Sequence, residues 1–202
     1  MRNMMQRGLV IATGAVAGAL AGLALLPHAS ERLAGAIGRD ARGPTFDPGP
    51  FGLVDHRGRR LTPLDFRGRI TLVISGATRD AETTGPALAV LLAAVEAVDP
   101  AGDRLAPMFL TADPAHDTIA VLGFYVAGVH RRLIGVTGAP DTVATLLVRW
   151  GLAARSAAGK PDPGNLEVSP YLIVIGPDGR LRAPVRLAAS PRELARALQA
   201  LL

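Results

Sequence analysis

The chain has no cysteine anywhere in its 202 residues. That absence excludes a thiolate metal site, a disulfide-exchange cycle and a peroxidatic thiol together, because each needs a sulfur nucleophile or ligand. Aromatic residues make up only 4% of the chain, and Lys160 is the only lysine. The formal charge of +5 and a pI near 10.8 are thus carried by arginines scattered along the sequence. No basic helix interleaved with stacking residues is present, so the charge does not describe a nucleic-acid surface. Abundant Arg, Ala, Gly and Pro together read as genomic composition.

Other soft or titratable donors are equally sparse. The four histidines, His28, His56, His116 and His130, are far apart and form no HxxxH pair, so none is a catalytic candidate by itself. Of the four methionines, Met1, Met4 and Met5 lie at the amino terminus and Met108 in an expected strand, which leaves no thioether cluster.

What the chain does have is apolar residues, 49% of the total, ample for the core of one globular domain with an appendage. The appendage is the uncharged run Gly8 to Leu26, GLVIATGAVAGALAGLALL. As a helix it would be about 28 Å long, close to the hydrocarbon thickness of a bilayer. It exceeds a signal-peptide apolar region, and Pro27 and His28 make poor cleavage positions, so an uncleaved anchor is expected over a cleaved leader. Gly14, Gly18 and Gly22 fall on one face of that helix as GxxxGxxxG, a surface suited to a homodimer contact. Arg2 and Arg7 precede the run and Arg32, Arg39 and Arg42 follow it, so charge alone does not orient it. The organisation expected is a short terminus at 1–7, the anchor at 8–26, a tether at 27–50 rich in Gly and Pro toward its end, and a domain at 51–202.

The domain is organised around Thr71 to Pro86, TLVISGATRDAETTGP. Thr71 to Ser75 is short, apolar and β-branched, which predicts a buried strand. Pro86 onward, PALAVLLAAVEAV, predicts a helix with Pro in its first turn. The polar loop between them therefore lies at the carboxyl end of a strand and the amino end of a helix, where α/β folds place ligands and the helix dipole favours anions.

Further elements follow in order. Phe51 to Asp55 with a turn at Arg57 and Gly58 predicts a short hairpin, and LTPLDF a turn. Leu105 to Thr111 is a strand, Ile119 to Val129 a helix, Leu133 to Val136 a strand, and Pro140 to Trp150 a helix. A polar loop over 151–166 precedes a strand at Tyr171 to Ile175, the turn GPDG, a strand at Leu181 to Val185, and a closing helix. Ser190, Pro191 and Glu193 write a capping box for that last helix. In the ADPAHDT segment, Asp117 is expected to cap the helix while Asp113 and Pro114 shape the turn.

The order PFGLVDHRGRRLTPLDFRGRITLVISGATRDAETTGPALA, then FLTADPAHDT, YVAGVHRRLIGVTG and YLIVIGPDG before a final helix resembles the Sco/SenC family over about Phe51 to Leu202. The resemblance implies a thioredoxin-like α/β fold with a mixed central sheet flanked by helices. It also implies a copper-handling role in cytochrome c oxidase assembly, not enzymatic turnover, and a single-pass protein of the cytoplasmic membrane whose domain faces the periplasm. The family's copper sits on a CxxxC pair and a distant histidine. Those positions fall here on Asp80, Thr84 and Val168, so neither a metal nor another cofactor is expected.

Two functions are consistent with that pattern. One is a binding or assembly factor that has kept the fold and lost the copper ligands, with respiratory oxidase subunits or a copper-competent paralogue as partners. The other is a metal-binding protein with non-standard ligands drawn from Asp80, Glu82, Asp113, His116 and Asp117, a set suited to a harder ion than copper(I). In the first, the loop residues Asp80, Glu82, Thr84, Asp113, Asp117, Ser169 and Pro170 form a binding surface. The thioredoxin-like resemblance further implies a cis bond between Ser169 and Pro170.

Overall fold

The computed structural model describes residues 45–47, 52–150, 152 and 171–202. The anchor segment with Gly14, Gly18 and Gly22, the ligand position Val168, and the Ser169 to Pro170 bond all lie outside the described residues.

Two strands, β2 (Ile70–Gly76) and β3 (Leu105–Thr111), are buried along their whole length. Such continuous apolar runs are stable only when both sheet faces are covered. They pair in parallel with Ile70 opposite Leu105, and β3 pairs in parallel with β4 (Ile134–Thr137). On the other side of β2, β5 (Tyr171–Ile175) runs antiparallel with Val73 opposite Ile173. Two short antiparallel strands finish the edges, β1 (Val54–Asp55) on β4 and β6 (Val185–Arg186) on β5. The sheet order is β1-β4-β3-β2-β5-β6, which is the mixed α/β sheet expected.

Among the described residues four helices cover this sheet: α1 (Ala81–Val98), α2 (Ile119–Val129), α3 (Pro140–Arg149) and α4 (Pro191–Gln199). Side chains alternate across a strand, so β2 sends Ile70, Leu72 and Ile74 to one face and Val73 to the other. The first face packs Leu88, Leu91 and Val95 of α1, Leu122 and Val126 of α2, and Leu194 and Leu198 of α4. The second packs Val143, Leu146 and Leu147 of α3 together with Phe46, Phe66 and Trp150. Phe46 meets Phe66 edge to face at 4.8 Å and Trp150 at 5.0 Å between ring centroids, so packing reaches back into the expected tether.

Three expectations are corrected. Helix α1 starts at Ala81, five residues before Pro86, because Asp80 caps it and Thr84 is buried in its first turn. Pro86 is thus inside the helix, where it removes one hydrogen bond. After the GPDG turn, Leu181 makes only an isolated bridge to Ile175, and the strand proper is Val185–Arg186. The LTPLDF turn is a 3-10 helix at Pro63–Phe66, closed by a capping box between Thr62 and Asp65. Among the described residues α1 is the one helix long and apolar enough to cross a membrane, but it joins two parallel strands and buries Leu88, Leu91, Ala94 and Val95 in the core.

Candidate functional site

The loop between β2 and α1 begins at Gly76, where the strand ends beside β3: the Ala112 backbone N–H donates to the Gly76 carbonyl at 2.7 Å. Asp80 opens the helix. Its carboxylate accepts from the Thr83 backbone N–H at 3.4 Å and its carbonyl from the Thr84 N–H at 2.9 Å. A carboxylate there offsets the positive end of the helix dipole, and Glu82 adds a second negative charge in the first turn.

Thr84 is fully buried, and its hydroxyl donates to the Ala77 carbonyl at 3.2 Å. It is packed directly on the end of the strand. A Cβ at Gly76 would stand 2.7 Å from Thr84 Oγ1 and 3.1 Å from the Phe109 ring, so glycine is what lets the helix approach. Asp80 and Thr84 therefore have structural work already: one caps the helix, the other closes the loop onto the strand.

Asp117 is the residue that ties the site together, and it is not the cap of α2. That role falls to Thr118, whose hydroxyl accepts from the Val121 N–H at 3.3 Å. Asp117 turns inward instead, with no exposed surface. One carboxylate oxygen accepts from the Thr78 N–H at 3.0 Å and the Thr111 hydroxyl at 2.6 Å. The other accepts from the Thr78 hydroxyl and lies 2.9 Å from His116 Nδ1. Burial pushes the Asp117 carboxyl up, but hydrogen bonds from His116, Thr111 and Thr78 outweigh it and hold the group below the usual carboxylate range. The loop after β2 is in this way laced to the loop after β3.

Asp113 adds an outer tie. It pairs with the Arg79 guanidinium and shapes the turn by accepting from the His116 N–H at 3.4 Å. The structure thus brings Asp113, His116 and Asp117 into one cluster beside Thr78 and Arg79. Asp80 and Glu82 stand apart from them on the first turn of α1. Among the described residues no three His, Asp or Glu side chains gather as a metal could use them, and no buried side-chain nitrogen or oxygen lacks a partner. His130 is structural, with Nε2 3.2 Å from Glu96.

The SCO1/SenC family model matches residues 39–202. The chain belongs to the SCO1/SenC family. Protein sco1 of Schizosaccharomyces pombe is 26% identical over 178 residues, covering 86% of this chain and 66% of that protein. The chain spans about half to two thirds of the length of the curated relatives first matched. Arabidopsis thaliana ScoI, solved with copper bound, superposes with a TM-score of 0.63 at 22% identity, covering 79% of this chain and 97% of that one. BsSco, described as a member of the Sco family of cytochrome c oxidase assembly proteins and as having a disulfide switch, gives a TM-score of 0.60 at 14% identity over 78% of this chain and 94% of its own. These likenesses agree with the thioredoxin-like sheet described above.

Copper, the metal named for the Arabidopsis relative, does not fit the residues this SCO1/SenC chain places at the loop. Copper(I) selects thiolate and thioether donors, whereas Asp80 offers a hard carboxylate and Thr84 a neutral hydroxyl with no access to solvent. Of the residues that build the site, Thr78 and Thr111 were not legible in the sequence. Thr78 lies 39 residues from the carboxylate it binds, and a threonine in a polar loop carries no signal of such a partner.

Proposed function

We propose that this chain is a membrane-held binding or assembly factor in cytochrome c oxidase biogenesis, a SCO1/SenC protein that no longer ligates copper through the family's thiolate pair. What supports the reading is that Asp80 and Thr84, on which the family's cysteine pair is expected to fall, are each engaged in holding the loop closed. The mixed sheet is present and every thiolate is absent, which supports a role for a surface and not for a redox or thiolate centre. Glu82 and Thr83 are exposed on the first turn of α1 and form the accessible part of that surface. Its partners are oxidase subunits or a copper-competent paralogue. Gly8 to Leu26 supplies the anchor, with Gly14, Gly18 and Gly22 available for pairing of two copies, and the domain lies on the periplasmic side. It works by binding, without turnover.

The test is a photo-crosslinking residue at Glu82 in the chain expressed in its own membrane. Adducts with an oxidase subunit or with a cysteine-bearing paralogue are expected, together with a shortfall of assembled oxidase when the gene is deleted. Normal oxidase levels in the deletion strain, with neither adduct, would contradict the proposal.

A further inference from the structure

Helix α2, IAVLGFYVAGV, contains no charged residue, yet it buries only Leu122 and Val126, with Tyr125 packed half-buried against Phe109. The remaining side chains face outward or sit half-buried. Ala120, Phe124 and Ala127 are spaced i, i+4, i+7 and make one exposed stripe, and Phe124 keeps 88% of its surface in solvent. Ile119 and Val129, at the two ends of the helix on the side of Leu122 and Val126, are partly exposed as well. A helix that packs against a sheet normally turns a polar face to water, and this one does not.

The surroundings of the stripe are basic. The turn after β1 lies against α2: a Cβ at Gly123 would stand 3.4 Å from the His56 carbonyl, and one at Gly58 3.9 Å from the Ile119 side chain. That turn carries exposed Arg57, with Arg59 and Arg60 next in the chain. At the far end of the helix, Arg131 is 78% exposed, with only a long 3.9 Å approach to Glu96. The carboxylates nearby are engaged by arginine, Asp55 and Asp65 sharing Arg59 and Asp113 pairing with Arg79. An apolar, Phe-bearing helix rimmed by arginine matches the interior and headgroups of an anionic lipid surface.

From these features we infer that α2 docks the domain onto a bilayer containing anionic phospholipid, with Phe124 entering the interface and Arg57 and Arg131 meeting headgroups. The inference rests on the anchored reading of Gly8 to Leu26. Only the 18 residues of 27–44 separate that run from Thr45, where the described domain begins. Eighteen residues reach at most about 60 Å, so every face of the domain can come within reach of the lipid. A second copy is a poorer occupant. The 11-residue helix is about 16 Å long, and its single stripe falls well below the roughly 800 Å² per partner that a stable dimer buries.

Because the chain lacks cysteine, one reporter can be placed at will. Ala127→Cys and, on the opposite face of the sheet, Thr145→Cys are each labelled with a polarity-sensitive fluorophore in the full chain. The chain is reconstituted into phosphatidylcholine vesicles with or without phosphatidylglycerol. The label at 127 is expected to become at least about threefold less accessible to acrylamide when phosphatidylglycerol is present, with no change at 145. Adding Phe124→Glu is expected to restore access. Equal access at both positions in vesicle-bound chain overturns the docking and leaves the anchor standing. Protection that grows with the protein-to-lipid ratio overturns it in favour of contact between copies. A chain that fails to partition with vesicles overturns the anchor and the docking together.

Discussion

Thr78 donates both its backbone N–H and its hydroxyl to Asp117, so the loop at the end of β2 is fixed by a carboxylate from the loop after β3. That carboxylate has no exposure to water and is satisfied entirely by Thr78, Thr111 and His116.

Asp117→Ala removes both carboxylate oxygens and strands the four groups that meet them. Loss of a buried charged partner of this kind is expected to cost about 3 kcal/mol of unfolding free energy, read from the urea midpoint. Asp117→Asn keeps the shape and part of the acceptance and is expected to cost less. The sign with pH follows from the lowered Asp117 group: its contribution is complete above the unfolded carboxyl value near 3.8 and declines as pH falls below it.

A second buried carboxylate sets the acid limit more sharply. Asp99, at the end of α1, accepts from the Leu105 N–H at 2.9 Å, the Arg104 N–H at 3.2 Å and the Arg132 guanidinium at 2.7 Å. Burial pushes its carboxyl up, but those bonds bring it down to about 2 from 3.8. A folded value below the unfolded one gives stability that is present above 3.8 and lost as pH falls through about 2. The difference corresponds to about 2 kcal/mol. Asp99→Asn is expected to lower stability at neutral pH and to flatten its decline between pH 4 and about 2, measured by denaturation at a series of pH values.

The scaffold itself is expected to accept copper once the donors are returned. The variant Asp80→Cys, Thr84→Cys, Val168→His is expected to bind copper(I) stoichiometrically, because two thiolates and an imidazole restore a soft donor set. Losing the Asp80 cap costs about 1 kcal/mol, which the domain is expected to tolerate. A folded variant that binds no copper would show that these three positions do not correspond to the family's ligands.

The sequence was most legible where one physical signal ruled. Leu105–Thr111, Ile119–Val129 and Tyr171–Ile175 have the expected limits, since uniform apolar runs bounded by polar turns leave little choice. The beginning of α1 was hidden by Pro86, whose preference for a first turn pointed five residues too far along. Asp117 and Thr118 are neighbours that both suit a cap, and propensity cannot tell which of them turns inward. Nothing in the sequence marks Asp99, because Arg132, its partner, lies 33 residues away. Contacts of that range are decided by packing. The loop's position was visible, whereas the lacing that closes it was not.

The central claim, that this SCO1/SenC chain has given up the family's copper chemistry, is tested most directly by titrating the full chain with copper(I) against a competing chelator. No binding at submicromolar affinity is expected, because Asp80 and Thr84 present hard, engaged oxygens in a chain without cysteine. Stoichiometric binding at submicromolar affinity, abolished by substituting Asp80, Asp113 or His116, would contradict it.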